Sequence, residues 1–136
     1  MSKRTWNAVL CIAAVVAGGS LYLLYRADTH LAQWMAWLPN LAYVRGLVAG
    51  YRCDFLQYYF PDFLWGFSLC CGLSAVLYRE KHGVWYAVAI GIVGGCLWEF
   101  LQWHHVVSGT ADLVDVGMYL LAGVVARIIN AKEIRK

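Results

Sequence analysis

Glu99, Asp112 and Asp115 stand close together in the otherwise apolar stretch WEFLQWHHVVSGTADLVDVGMYLLAG, which runs from Trp98 to Gly123. Carboxylates near lipid carry a large desolvation cost, so they sit there with a partner or for a purpose. Glu99 and Asp115 have the makings of an acid–base pair. Two carboxyl groups held together away from water do not both ionise, so one keeps a proton to donate and the other accepts. Asp112 joins them as the third candidate for catalysis. Gln102, Tyr119, Arg26, His105 and Asp62 are the candidates for holding a ligand, because each is polar and falls near the same end of a hydrophobic run.

Each of these residues also has a plainer explanation. Asp62 follows Pro61, and proline favours the first position of a helix, where the macrodipole stabilises an anion. Asp112 precedes an apolar run in the same way. Glu99 is expected at the end of its helix, where the dipole disfavours it; its plain alternative is a fold-fixing hydrogen bond to Tyr119 or Gln102. Arg26 is either the counter-charge of the acids or an interfacial residue with its head in water. His104 and His105 are neighbours, so only one can face a pocket, and His105 is the better placed, three residues beyond Gln102. No dedicated metal-ligand spacing is present, and neither a metal nor another cofactor is called for. The five Cys are odd in number and mostly embedded in apolar runs, which fits packing rather than disulfides.

The elements that position these residues are membrane helices. The chain is 62% hydrophobic and only 14% charged, with a mean hydropathy of +0.57, which excludes an ordinary soluble domain. A net charge of +3, scattered along the chain, gives no basis for nucleic-acid binding. Aromatic residues make up 15% of the chain and suit the two faces of a bilayer. The length allows one domain, residues 1–136. Four runs approach the roughly 20 apolar residues that cross a bilayer: 7–25, 60–78, 84–104 and 113–129. The first follows a basic start but is about 19 residues long, beyond the roughly 7–15 of a signal-peptide core, and reads as a retained helix. The fold class is therefore an all-α polytopic membrane protein with four transmembrane helices.

Basic residues orient the spans. Lys3, Arg4, Arg79, Lys81, Arg127, Lys132, Arg135 and Lys136 fall on one side, eight of the eleven Lys and Arg. The positive-inside rule makes that side the cytoplasm, with both termini in it. Residues 27–59 form the first outer loop. Within it, HLAQWMAWL has the spacing of a short interfacial helix, and LAYVRGLVAGY is a second one or a re-entrant piece. Steps of three and four residues give each span a face of small residues topped by a polar one: Ala14, Gly18, Tyr22 and Arg26; Asp62, Gly66 and Cys70; Gly91, Gly95 and Glu99; Asp112, Asp115, Tyr119, Ala122, Gly123 and Ala126. Four such faces predict a pocket open outward and sealed below. In it Glu99 and Asp115 face one another and share the space with Gln102 and Tyr119.

The run Glu99-Phe-Leu-Gln102, a short loop, Gly109-Thr110-Ala-Asp112-Leu-Val-Asp115 and then Tyr119-Leu-Leu-Ala-Gly123 resembles the VanZ-like family of small bacterial membrane proteins. The resemblance covers the last two spans, about a third of the chain, and extends to the hydropathy layout and the long first outer loop. It implies about four membrane helices and a link to glycopeptide antibiotic resistance. Two departures stand out. The family's Arg before the first Asp is replaced by Ser108, Gly109 and Thr110, and its Asn by Tyr119. An anion-holding role for that Arg would pass to Arg26, Arg45 or Arg52.

Two functions from different classes follow. One is an outward-facing binding protein or enzyme acting on an amphiphile, such as a lipid, a lipid-linked cell-envelope precursor or a lipophilic antibiotic. Its apolar part would be guided in by Trp34 and Trp37. For an enzyme an evident nucleophile is missing, since Ser108 lies in the right loop but has no base at a fixed spacing. The other is a non-enzymatic role, as an assembly partner or a small ion or proton pathway. A proton path wants ionisable groups at several depths, whereas here they stop in the outer third. Membrane lipids are the expected partners in either case, and the exposed helix faces suit a homo-oligomer.

Overall fold

The computed structural model describes residues 1–27, 29–51, 53–107 and 109–132. Arg52, Ser108, Arg135 and Lys136 of the readings above lie outside the described residues. The described chain is helical throughout: α1 (Lys3–Tyr25), α2 (His30–Trp34), α3 (Leu41–Val48), a π-helical turn (Phe55–Tyr59), α4 (Phe60–Val76), α5 (Gly83–Trp103) and α6 (Leu113–Lys132). A backbone in an apolar medium must bond to itself, and a long run without proline does so as a helix. α1 begins where the Ser2 hydroxyl accepts the Thr5 N–H at 3.1 Å. Pro61 sits in the first turn of α4. It lacks the N–H that would bond the Gln57 carbonyl, and the turn ahead of it runs wide, with the Phe60 N–H reaching the Phe55 carbonyl.

Among the described residues three helices are long and apolar enough to cross a membrane: α1, α5 and α6. α4 has 17 residues, short of the roughly 20 of a full crossing, although the π turn extends it without a break. α4 is the hub of the bundle. It packs against α1, α5 and α6 and buries nine residues, among them Leu64, Gly66, Phe67, Cys70, Cys71 and Ser74. The start of α1, the end of α4, the start of α5 and the end of α6 meet at one end of the bundle. The four helices are therefore antiparallel in sequence order.

The core is built of small side chains: Ala14, Cys70, Cys71, Ala122 and Ala126 are buried with Leu64, Phe67 and Val88. The outward faces are the greasy ones. Ile12, Val16, Ile90, Val93, Leu97, Leu120, Val124 and Ile128 are exposed. That inside-out distribution is what a membrane bundle needs, because packing of small residues rather than burial of large ones holds helices together in lipid. Tyr119 shows the mechanism. Its ring occupies the space left by two glycines: a Cβ at Gly95 would run into the ring, and one at Gly66 would come within 2.9 Å of it.

At the end where α1 begins and α6 finishes, Asn7 and Asn130 form a reciprocal amide pair. Each side-chain NH2 donates to the other's carbonyl oxygen, at 2.9 and 3.2 Å. The remaining donors go to the Lys3 carbonyl at 3.1 Å and the Ala126 carbonyl at 2.9 Å. Both residues are buried.

The first loop differs from a single interfacial helix over HLAQWMAWL. α2 is five residues long, and turns over 35–37 break it. Asn40 in the left-handed region (φ 64°) then starts α3, which covers most of LAYVRGLVAGY. Trp34 and Trp37 are exposed. α3 is tied to the end of α1 by the Arg45 Nε, which donates to the Leu23 carbonyl at 2.7 Å.

Candidate functional site

The polar residues singled out along the chain collect at the end of the bundle opposite the asparagine pair. Helix rotation distributes them into two groups. α6 begins at Leu113, and Asp112 is its cap: the Asp112 Oδ1 accepts the Val114 N–H at 2.9 Å. Glu99, at the far end of α5, is buried. Its Oε2 accepts the Asp112 N–H at 3.1 Å. Glu99 thus makes a fold-fixing hydrogen bond. The dipole of its own helix disfavours it, but it lies against the start of the next one, where an anion is favoured and an unpaired N–H needs an acceptor. The bond goes to the Asp112 backbone, not to Tyr119 or Gln102.

Asp115 turns elsewhere. A three-residue step leaves roughly 60° of rotation about a helix of 3.6 residues per turn. While Asp112 meets Glu99, Asp115 and Tyr119 are carried toward α4 and α1. The Tyr119 hydroxyl donates to the Asp62 Oδ1 at 3.3 Å. Arg26 lies over the rings of Tyr22 and Tyr58, 4.9 and 5.4 Å from their centroids, and its Nη1 donates to the Tyr22 hydroxyl at 3.5 Å. Asp115 is within electrostatic reach of Asp62, Glu99, Asp112 and Arg26. Its Oδ1 is buried without a hydrogen-bond partner, and so is the Arg26 Nε.

Of the four residues expected to share one pocket, Glu99 and Gln102 line the same cavity, and Asp115 and Tyr119 lie beside it. A cavity of about 640 Å³ does open between the end of α5 and the start of α6, and Glu99, Gln102, His105 and Asp112 line it together with Phe100, Trp103, Leu113 and Val116. Asp115, Tyr119, Asp62 and Arg26 are not on its wall. They form a polar layer toward α1 and α4, joined to the cavity through Glu99. The wall is mainly apolar, with its polar groups gathered where α5 hands over to α6.

His105 reaches the cavity through an unusual backbone. α5 closes with the Val106 N–H on the Leu101 carbonyl at 2.9 Å and the His105 N–H on the Gln102 carbonyl at 3.0 Å. That double bond pattern puts the intervening residue in the left-handed conformation, a place usually filled by glycine. His105 occupies it at φ 55°. Histidine is among the non-glycine residues that adopt this region, and periodicity along the helix could not supply the placement. His104, by contrast, packs its ring on Phe100 with centroids 4.4 Å apart.

Among the described residues no group of three or more His, Cys, Asp or Glu is arranged to hold a metal ion. The chain matches no known family model, no curated protein and no solved structure.

Proposed function

We propose that the chain is a VanZ-like protein of the bacterial inner membrane that takes up the apolar part of an amphiphile between α5 and α6. The amphiphile is a lipid, a lipid-linked cell-envelope precursor or a lipophilic antibiotic. Its polar part lies against Glu99, Gln102, His105 and Asp112. The cavity carries this reading. At about 640 Å³ it is in the size range of small-molecule sites, and an apolar wall with a few converging polar groups is their usual composition. Asp115, with Asp62 and Tyr119 behind Glu99, is the reserve of proton donors and acceptors that such a ligand could draw on.

In this reading α4 crosses the bilayer with the other three long helices. It lies antiparallel among them, and the π turn lengthens it. The end carrying Lys3, Arg4, Arg79, Lys81 and Arg127 is cytoplasmic by the positive-inside rule, and the carboxylate end faces outward.

Filling the cavity tests the proposal. Val116→Trp and, in the loop, Thr110→Trp place a large ring on its wall. The protein is purified in mild detergent and the co-purifying amphiphiles are identified by mass spectrometry. A compound retained by the wild type and depleted in both variants, at unchanged melting temperature, supports the reading. The same lipid complement in all three proteins removes it.

A further inference from the structure

The end of the bundle opposite the carboxylates holds a second cavity, of about 330 Å³, where α1 starts, α4 ends, α5 starts and α6 ends. The Asn7–Asn130 pair lines it with its hydrogen bonds already met by each other and by the backbone. Other donors on its wall are not met. Ser74 is only 2% exposed, and its Oγ has no hydrogen-bond partner; neither have the Nε and Nη1 of Arg127, which are also buried. The Arg127 guanidinium lies 4.6 Å from the centroid of the Trp85 ring. That cation–π contact is not a hydrogen bond, so the buried Nε and Nη1 still need an acceptor. The first turn of α5 is part of the same wall. This helix has no side-chain cap and no acidic residue in its first turn; the Gly83 N–H is met by the Glu80 carbonyl at 3.0 Å, and the positive end of the helix borders the cavity beyond it. Lys3 and Lys81 add charge at the exposed rim, where Glu80 is the one carboxylate among the described residues.

Buried donors around a cation are costly unless an acceptor meets them. We propose that this cavity binds a phosphate-bearing anion, held by the Arg127 guanidinium and the Ser74 hydroxyl at the N-terminus of α5. Guanidinium, hydroxyl and helix N-terminus are the donor set that phosphate oxygens match. In a bilayer the source is the headgroup of an anionic phospholipid; in solution it is inorganic phosphate. The site is separate from the Glu99 cavity and does not rest on the function proposed for it.

The test uses the full chain, delipidated in a neutral detergent. It is titrated at constant ionic strength with short-chain phosphatidylglycerol, with short-chain phosphatidylcholine and with inorganic phosphate, and binding is read by calorimetry. Phosphatidylglycerol is expected to bind, and Arg127→Gln to weaken it at least about tenfold. Ser74→Ala is expected to weaken it by about two- to tenfold, and the exposed Lys81→Gln by about two- to fivefold. Cys53→Ser, far from the cavity, keeps the wild-type affinity. Binding of phosphatidylglycerol alone supports the lipid headgroup. Inorganic phosphate binding as tightly supports the anion site with a soluble source. Where Arg127→Gln does not fold, Ser74→Ala and Lys81→Gln decide. The proposal is overturned if neither anion binds, if phosphatidylcholine binds as well as phosphatidylglycerol, or if the folded variants keep the wild-type affinity.

Discussion

Glu99 and Asp115 look alike in the sequence and differ in the fold. Glu99 has a partner, the Asp112 N–H at 3.1 Å. Removing a buried acceptor from its donor costs about 1–3 kcal/mol, so Glu99→Ala should lower the thermal stability by that order. Glu99→Gln keeps a carbonyl oxygen for the same N–H and should melt close to the wild type. Equal melting temperatures for the Ala and Gln variants in detergent would remove the capping role. Asp115 has an oxygen without a partner, so Asp115→Asn should stay folded and lose ligand instead. His105 gives the complementary case. Its left-handed backbone is uncomfortable for any residue with a Cβ, by about 1–2 kcal/mol. His105→Gly is expected to raise the unfolding free energy by up to about 1 kcal/mol, since glycine's greater unfolded-state entropy takes back part of the gain. Denaturant titration measures the sign. A gain in stability with a loss of ligand would mark strain kept for function.

Between helices, the spacing of small residues decides how closely backbones approach. α5 buries Gly91, Gly95 and Glu99 on one face, and Tyr119 of α6 fills the groove over Gly95. Gly95→Leu must displace that ring and with it the hydrogen bond from Tyr119 to Asp62, and overpacking of this kind costs about 1–3 kcal/mol or more. Gly117, also on α6, meets nothing within 4 Å. Gly117→Ala should therefore be neutral or stabilising by up to about 1 kcal/mol through helix propensity. A Gly95→Leu protein that melts with the wild type would show that α5 does not pack through this face. The same closeness explains why α4, the shortest of the four long helices, is the most enclosed. Cys70 and Cys71 sit with Gly66 and Ser74 at its contacts with its neighbours, where bulkier side chains would hold the bundle open.

At the scale of the molecule the polar chemistry is divided between two ends. Asp62, Glu99, Asp112, Asp115, Arg26 and His105 lie at one, and Lys3, Arg127 and the asparagine pair, with Glu80, at the other. Cys53 tests which end faces out. It is exposed, whereas Cys70 and Cys71 are buried and Cys11 and Cys96 half-buried. With the carboxylate end outside, a membrane-impermeant maleimide should label Cys53 in intact cells, and Cys53→Ser should abolish the signal. Labelling of Cys53 only after lysis, together with surface labelling of a Cys added after Lys136, would invert the orientation.

The run of apolar residues along each helix and the small-residue face within it were legible from the sequence, because both follow from periodicity inside a single helix; the gathering of Asp62, Glu99, Asp112 and Asp115 at one end followed from the up-and-down order of the spans. Gly91, Gly95 and Glu99 share a face wherever α5 is placed. What each polar residue meets depends on the rotation of one helix against another, and no single helix contains that information. Tertiary structure placed Glu99 on the start of α6 and turned Asp115 away toward α4. It shortened the first-loop helix to five residues and put His105 in a glycine's place. It also joined Asn7 to Asn130 across 123 residues of sequence, and brought Ser74 and Arg127 onto one cavity at the start of α5. These contacts form between helices far apart in the chain, where burial, helix ends and the shape of neighbouring side chains set the outcome.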